Sequence, residues 1–128
     1  MSIAFWCVLA GGLMPLIWTG VAKFSGDRKL GPRDNLNPRE WLEQCTGVQK
    51  RAHWAQLNAF EAFPLFAAGV IVAHLAGVAQ ARIDALALAW VALRLVYGLL
   101  YLADKGQART LVWTAALLCV VALFVSAA

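Results

Sequence analysis

Two polar residues, Asn58 and Glu61, stand inside the long apolar stretch QKRAHWAQLNAFEAFPLFAA of residues 49–68. A charge at the centre of a membrane-crossing helix costs roughly 2.5 to 3.5 kcal/mol even on lenient insertion scales, so such residues face a partner or a cavity. At about 100° per residue, Arg51, Asn58 and Glu61 fall on one helical face, with Trp54 and Ala55 on the same stripe. A second stripe follows in Arg94, Tyr97 and Tyr101, spaced i, i+3 and i+7 among Leu, Val and Gly, and Arg109 with Thr110 opens the last apolar block. If the two stretches run antiparallel from one membrane surface, a rise of 1.5 Å per residue puts Glu61 roughly 15 Å deep and Arg94 roughly 13 Å deep. The two groups are then expected to meet as a buried ion pair. Asn58 and Tyr97 fall at a common depth above it, and Tyr101 and Arg109 lie near the rim. One account is that Glu61 and Arg94 lock two helices together, with Asn58 as interhelical glue. Two tyrosines and a second arginine along the same track favour the other, a polar wedge that opens to one side and receives a ligand.

The elements that carry these stripes are membrane spans. The chain has 128 residues, of which 62% are hydrophobic and only 14% charged. Its mean hydropathy of +0.67 lies far outside the range of soluble domains. Apolar blocks run from about residue 3 to 22, 52 to 79, 85 to 103 and 110 to 128, each near the roughly 20 residues a helix needs to cross the hydrocarbon. This predicts an all-α integral membrane protein, a single domain over 1–128 built as a four-helix bundle. The first block has no basic leading segment and no small-residue cleavage site, so it reads as an uncleaved span.

Charge sets the expected orientation. Lys23, Arg28, Lys29, Arg33, Arg39, Lys50 and Arg51 lie between the first two spans, and Lys105 and Arg109 between the last two, whereas the opposite side has only Arg82. Loops rich in Lys and Arg stay in the cytoplasm. The 23–51 loop is therefore expected there, with both termini outside, which in a bacterial inner membrane is the periplasm. The net charge of +4 calls for no nucleic acid, because an anionic leaflet accounts for it.

Within the 23–51 loop, Asn37, Pro38 and Glu40 match an N-cap, a first-turn proline and a capping-box carboxylate. A short helix is expected from there to about Cys45, with Gly47 as its stop and Trp41 as an interfacial anchor. Cys7, Cys45 and Cys119 have no metal-like spacing, and His53 and His74 have no second ligand at i+4. No zinc pattern, phosphate-binding loop or dinucleotide fingerprint occurs, so no metal is expected.

RAHWAQLNAFEAFP, with Asn58, Glu61 and Pro64 in register, together with RLVYGLLY ending eight residues before Arg109, resembles the MAPEG family, the membrane-associated proteins in eicosanoid and glutathione metabolism. DNLNPREWL and the short first loop are similar to its bacterial branch. The resemblance covers nearly the whole chain. It implies a homotrimer that binds glutathione between adjacent protomers, in a pocket open to the cytoplasm. By position, Asn58 and Glu61 would contact the peptide backbone and amino group of glutathione, and Arg94, Tyr97 and Tyr101 would line the same cleft. Arg109 would stabilise the thiolate. Lys23 and Gln56 fall where eicosanoid-forming relatives carry a basic and a polar residue. Those relatives also carry an arginine where this chain has Trp54, and the nearest arginine here, Arg51, is one turn earlier.

The chemistry is coherent with that resemblance. Glutathione has two carboxylates and one ammonium, which one carboxylate and several guanidinium groups match in charge. A guanidinium beside its thiol favours the nucleophilic anion. Three functional readings stay open: a glutathione-dependent transferase or peroxidase acting on lipophilic electrophiles, a catalytically silent binding or scaffolding subunit, and a small cation or multidrug transporter using Glu61.

Overall fold

The computed structural model describes residues 1–128. Four helices in it are long and apolar enough to cross a membrane: α1 (Ile3–Phe24), α3 (Gly47–Leu75), α4 (Gln80–Leu102) and α5 (Gly106–Ala127). A short helix, α2 (Pro38–Gln44), and a single 3-10 turn (Asp34–Leu36) lie in the loop between α1 and α3. There is no strand. The most extensive packing is of α1 along α3 and of α4 along α5, and contacts of α4 with α1 and α3 and of α5 with α3 close the bundle.

Small residues let these helices approach, as expected where lipid supplies no hydrophobic drive for helix association. Ala55 and Ala59 of α3 meet Met14 and Trp18 of α1. Gly98 of α4 lies so close under the Trp18 indole that a Cβ there would overlap the ring. Deeper in the bundle, Phe66 and Trp90 stack with centroids 3.8 Å apart and planes within 3°, inside a cluster that also holds Cys7, Val70, Ile83, Val120 and Leu123.

The α1–α3 loop is ordered by one buried amide. Gln49 Nε2 donates to the carbonyls of Ala22 (3.0 Å) and Arg28 (2.9 Å), and its Oε1 accepts from the Arg28 N–H (3.2 Å). Gly26, at φ +79°, leaves room for that side chain. The short helix begins at Pro38 with Asn37 as its N-cap residue, but no side-chain capping bond forms. Gly47 differs from expectation. The short helix ends at Gln44, Cys45 is already extended, and Gly47, at φ +57°, opens α3 instead of closing α2. Trp41 also departs from its expected place at the lipid interface. It is 2% exposed and packs with Leu42 and Cys45 against Ala22 and Ala52, because α2 folds its apolar face down onto α1 and α3.

Two tight turns set the registers of the remaining helices. Asp104 adopts the left-handed conformation (φ 58°), and the Lys105 N–H bonds back to the Leu100 carbonyl (3.0 Å), a Schellman-type ending of α4. Gly77 (φ 74°) ends α3 in the same way, with Val78 N–H on the Ala73 carbonyl (3.1 Å). At that same end of the bundle Asp84 of α4 accepts the Ala4 N–H at 2.7 Å, a carboxylate on a helix N-terminus. His74 stacks on Phe5 and contacts Ser2 there, so it fastens α1 to α3.

Candidate functional site

A three-residue step on a helix turns through 300°, so Asn58 and Glu61 project 60° apart from α3. That angle decides which of them meets α4. Asn58 faces α4 and Glu61 points past it, exposed on the flank of the bundle. Arg94, 2% exposed, donates through Nη2 to Asn58 Oδ1 at 2.7 Å and to the Asn58 carbonyl at 3.2 Å. Asn58 Nδ2 donates in turn to Glu61 Oε2 at 3.3 Å. The expected direct pair of Glu61 with Arg94 is therefore not formed. An amide stands between the two charges, with its carbonyl toward the cation and its N–H toward the anion.

From Arg94 the track continues toward the α4–α5 turn. The guanidinium lies over the Tyr97 ring (4.4 Å to the centroid), Tyr97 meets Tyr101 edge to face at 5.7 Å, and Arg109 lies over Tyr101 at 4.0 Å. The last contact depends on the Asp104 turn, which folds the first turn of α5 back onto the last turn of α4. Trp54 flanks the same end, 6.4 Å from Tyr101.

Two grooves share Asn58 and Glu61. One, of about 360 Å³, is open and is bounded by Trp54, Leu57, Asn58, Glu61, Tyr97 and Tyr101. The other, of about 210 Å³, is mainly apolar and runs between α3, α4 and α5, lined by Asn58, Glu61, Ala62, Leu65, Trp90, Arg94, Trp113, Ala116, Leu117 and Val120. Asn58, Glu61, Arg94, Tyr97, Tyr101 and Arg109 are thus brought together.

Three of the sequence-derived candidates lie elsewhere. Arg51 Nε donates to the Leu102 carbonyl at 3.0 Å, which ties it to the end of α4. Gln56 is two residues, or 200°, from Asn58 and borders neither groove; its Oε1 is buried without a partner. Lys23, in the last turn of α1, borders neither groove. Conversely, Trp90 and Trp113 were not singled out from the sequence. Trp113 had a signal available, since Arg109, Trp113, Ala116, Leu117 and Val120 follow the i, i+4, i+7, i+8, i+11 spacing of one helical stripe.

No cluster of His, Cys, Asp or Glu is arranged to hold a metal ion. The thiols offer no evident nucleophile either. Cys45, in the α2–α3 turn, donates to the Trp41 carbonyl at 3.4 Å, and burial pushes its thiol up despite the nearby Arg28 and Lys50.

A groove with one outward carboxylate, a guanidinium held on a tyrosine at its rim and an apolar neighbour is suited to a small polar ligand beside a lipophilic one. Comparison with known families decides the lineage, because the model of the MAPEG family matches residues 3–128, essentially the whole chain. The chain belongs to the MAPEG family. It is accordingly a multi-pass membrane protein, from a family whose members are generally related to glutathione. No curated protein and no solved structure matches the chain.

Proposed function

We propose that this MAPEG protein is a glutathione-dependent membrane transferase or peroxidase acting on lipophilic electrophiles. The observation that carries the reading is the continuous track Glu61, Asn58, Arg94, Tyr97, Tyr101, Arg109, which runs along the flank of the bundle with a carboxylate at one end and a guanidinium at the other. Glu61 accepts the ammonium of glutathione, Asn58 fixes the peptide, and Arg109 holds the sulfur as thiolate. Transfer is then a displacement. The sulfur forms a bond to the electrophilic carbon, the leaving group departs with its electron pair, and the thiol proton has already been lost to water. The apolar groove along Leu65, Trp113 and Leu117 gives the electrophile a route from the bilayer.

The same flank supports assembly as a homotrimer. An exposed Glu61 on a membrane-spanning helix would otherwise face lipid, at a cost of roughly 2.5 to 3.5 kcal/mol. A neighbouring copy covers it and closes the cleft. Calorimetry of the detergent-purified protein with reduced glutathione tests the proposal: saturable binding is expected, and its absence removes the glutathione reading. Binding without turnover on any lipophilic electrophile returns the silent binding subunit, and binding of organic cations alone returns a transporter using Glu61.

A further inference from the structure

We propose that Tyr101 is a positioning residue for the thiol chemistry: its ring holds the Arg109 guanidinium at the rim of the groove with the N–H groups left free for a sulfur anion. This deepens the glutathione reading and rests on it for the identity of the thiol.

The three guanidinium groups around the groove all stay cationic, but they differ in what occupies their donors. Arg94 gives Nη2 to Asn58 Oδ1 and to the Asn58 carbonyl, and Arg51 gives Nε to the Leu102 carbonyl. Arg109 forms no side-chain hydrogen bond and no ion pair within the subunit. Its guanidinium carbon lies instead 4.0 Å from the centre of the Tyr101 ring. An aromatic face attracts a cation through its quadrupole and presents no lone pair to its N–H groups. The contact therefore restrains the guanidinium and leaves its planar fork of donors available to an anion.

The ring is itself fixed. Tyr101 stands in the last turn of α4, with the Tyr97 ring edge-on at 5.7 Å and Trp54 of α3 at 6.4 Å, and it lines the groove. The turn through Asp104, at φ 58°, brings the first turn of α5 back to it, so Arg109 meets a ring held from two sides. Without that ring a long side chain at the rim would spread over many rotamers. A displacement of about 1 Å in a catalytic constellation can cost about 100-fold in rate, so restraining Arg109 acts on turnover more than on affinity. The contact is made by the ring and not by the hydroxyl, which separates this role from a direct hydrogen bond to a ligand.

Two measurements on the detergent-purified protein test the inference. In the first, reduced glutathione is added, and its thiolate absorbance and the turnover of an aromatic halide are followed. Tyr101→Phe should keep the thiolate band. Tyr101→Leu should still bind glutathione but lose the band, and should turn over about three- to thirtyfold more slowly than Tyr101→Phe. Tyr101→Leu combined with Arg109→Ala should be no slower than Arg109→Ala alone, because the ring acts through the guanidinium. Loss of the band in Tyr101→Phe, or additive losses in the double variant, overturns the inference while glutathione binding stands. Glutathione bound to the parent without a thiolate band overturns it as well. The second measurement needs no thiol. In nuclear magnetic resonance of protein carrying heavy-nitrogen arginine, the Arg109 Nε–H signal, identified by its loss in Arg109→Lys, should be shifted upfield by the ring. It should stay shifted in Tyr101→Phe and move in Tyr101→Leu. A shifted Arg109 signal in a protein that does not bind glutathione removes the glutathione reading and leaves the placement standing, whereas an unshifted signal overturns the placement whether or not glutathione binds.

Discussion

At position 58 an amide receives the guanidinium that a carboxylate was expected to receive, and this changes what the neighbouring substitutions should do. Removing Arg94 leaves Asn58 Oδ1 without its donor inside the bundle, while the Asn58 carbonyl, inside α3, loses only a second, longer contact. Unpaired buried polar groups cost about 1 to 3 kcal/mol each, so Arg94→Leu should lower the melting temperature in detergent by several degrees. Glu61→Gln should be nearly neutral, because a glutamine oxygen still accepts from Asn58 Nδ2 and no cation loses a partner. Equal damage from both substitutions would indicate a direct ion pair and contradict the amide bridge. The residue types at this site were legible from their cost in a membrane and their spacing. The identity of the partners was not, because depth arithmetic placed Glu61 and Arg94 at one level without resolving the 60° that separates Glu61 from Asn58 around the helix.

At the scale of the elements, the four long helices follow directly from apolar length, and the short helix from Asn37, Pro38 and the apolar pair Trp41 and Leu42. What composition could not convey is how the pieces dock. Gln49 reads as an ordinary polar residue ahead of a span, yet it makes three hydrogen bonds that turn the chain after α1. Gly47 reads as a stop and serves as a start, since a positive φ suits either side of a two-residue break. Trp41 has an anchor's composition, but the tertiary fold of α2 buries it. Gly98 is a further case, one small residue in an apolar run whose reason is the Trp18 ring above it. Because the buried indole would overlap the added carbon, Gly98→Ala should cost about 1 to 3 kcal/mol by overpacking, measured by thermal unfolding in detergent. Gly20→Ala, with nothing within 4 Å of the added carbon, is the matched control and should be neutral or better. Equal stability of the two variants would mean that α1 and α4 are less closely packed than described.

For the whole molecule, orientation and assembly determine from which side the ligand enters. Nine of the eleven basic residues lie in the 23–51 and 103–109 regions, so a reporter placed after Ala128 is expected on the outer side and one inserted near Asn35 in the cytoplasm. The Arg109 rim then opens to the cytoplasm, where a soluble thiol is available. A cytoplasmic C-terminus would reverse the side of entry. Native mass spectrometry should report three copies per particle, and a monomer that binds glutathione would show that one flank alone completes the cleft.

In the proposed reaction Arg109 carries the chemical step, and the anion it would stabilise has a direct signal in the ultraviolet absorbance of a thiolate. Glutathione added to the protein at neutral pH should show this band with the parent and lose it with Arg109→Ala. Because the contribution of the guanidinium strengthens as the anion forms, the substitution should lower turnover of an aromatic halide more than it weakens binding. A parent that binds glutathione without thiolate absorbance, with Arg109→Ala indistinguishable from it, would contradict the enzymatic account and leave a binding subunit in its place.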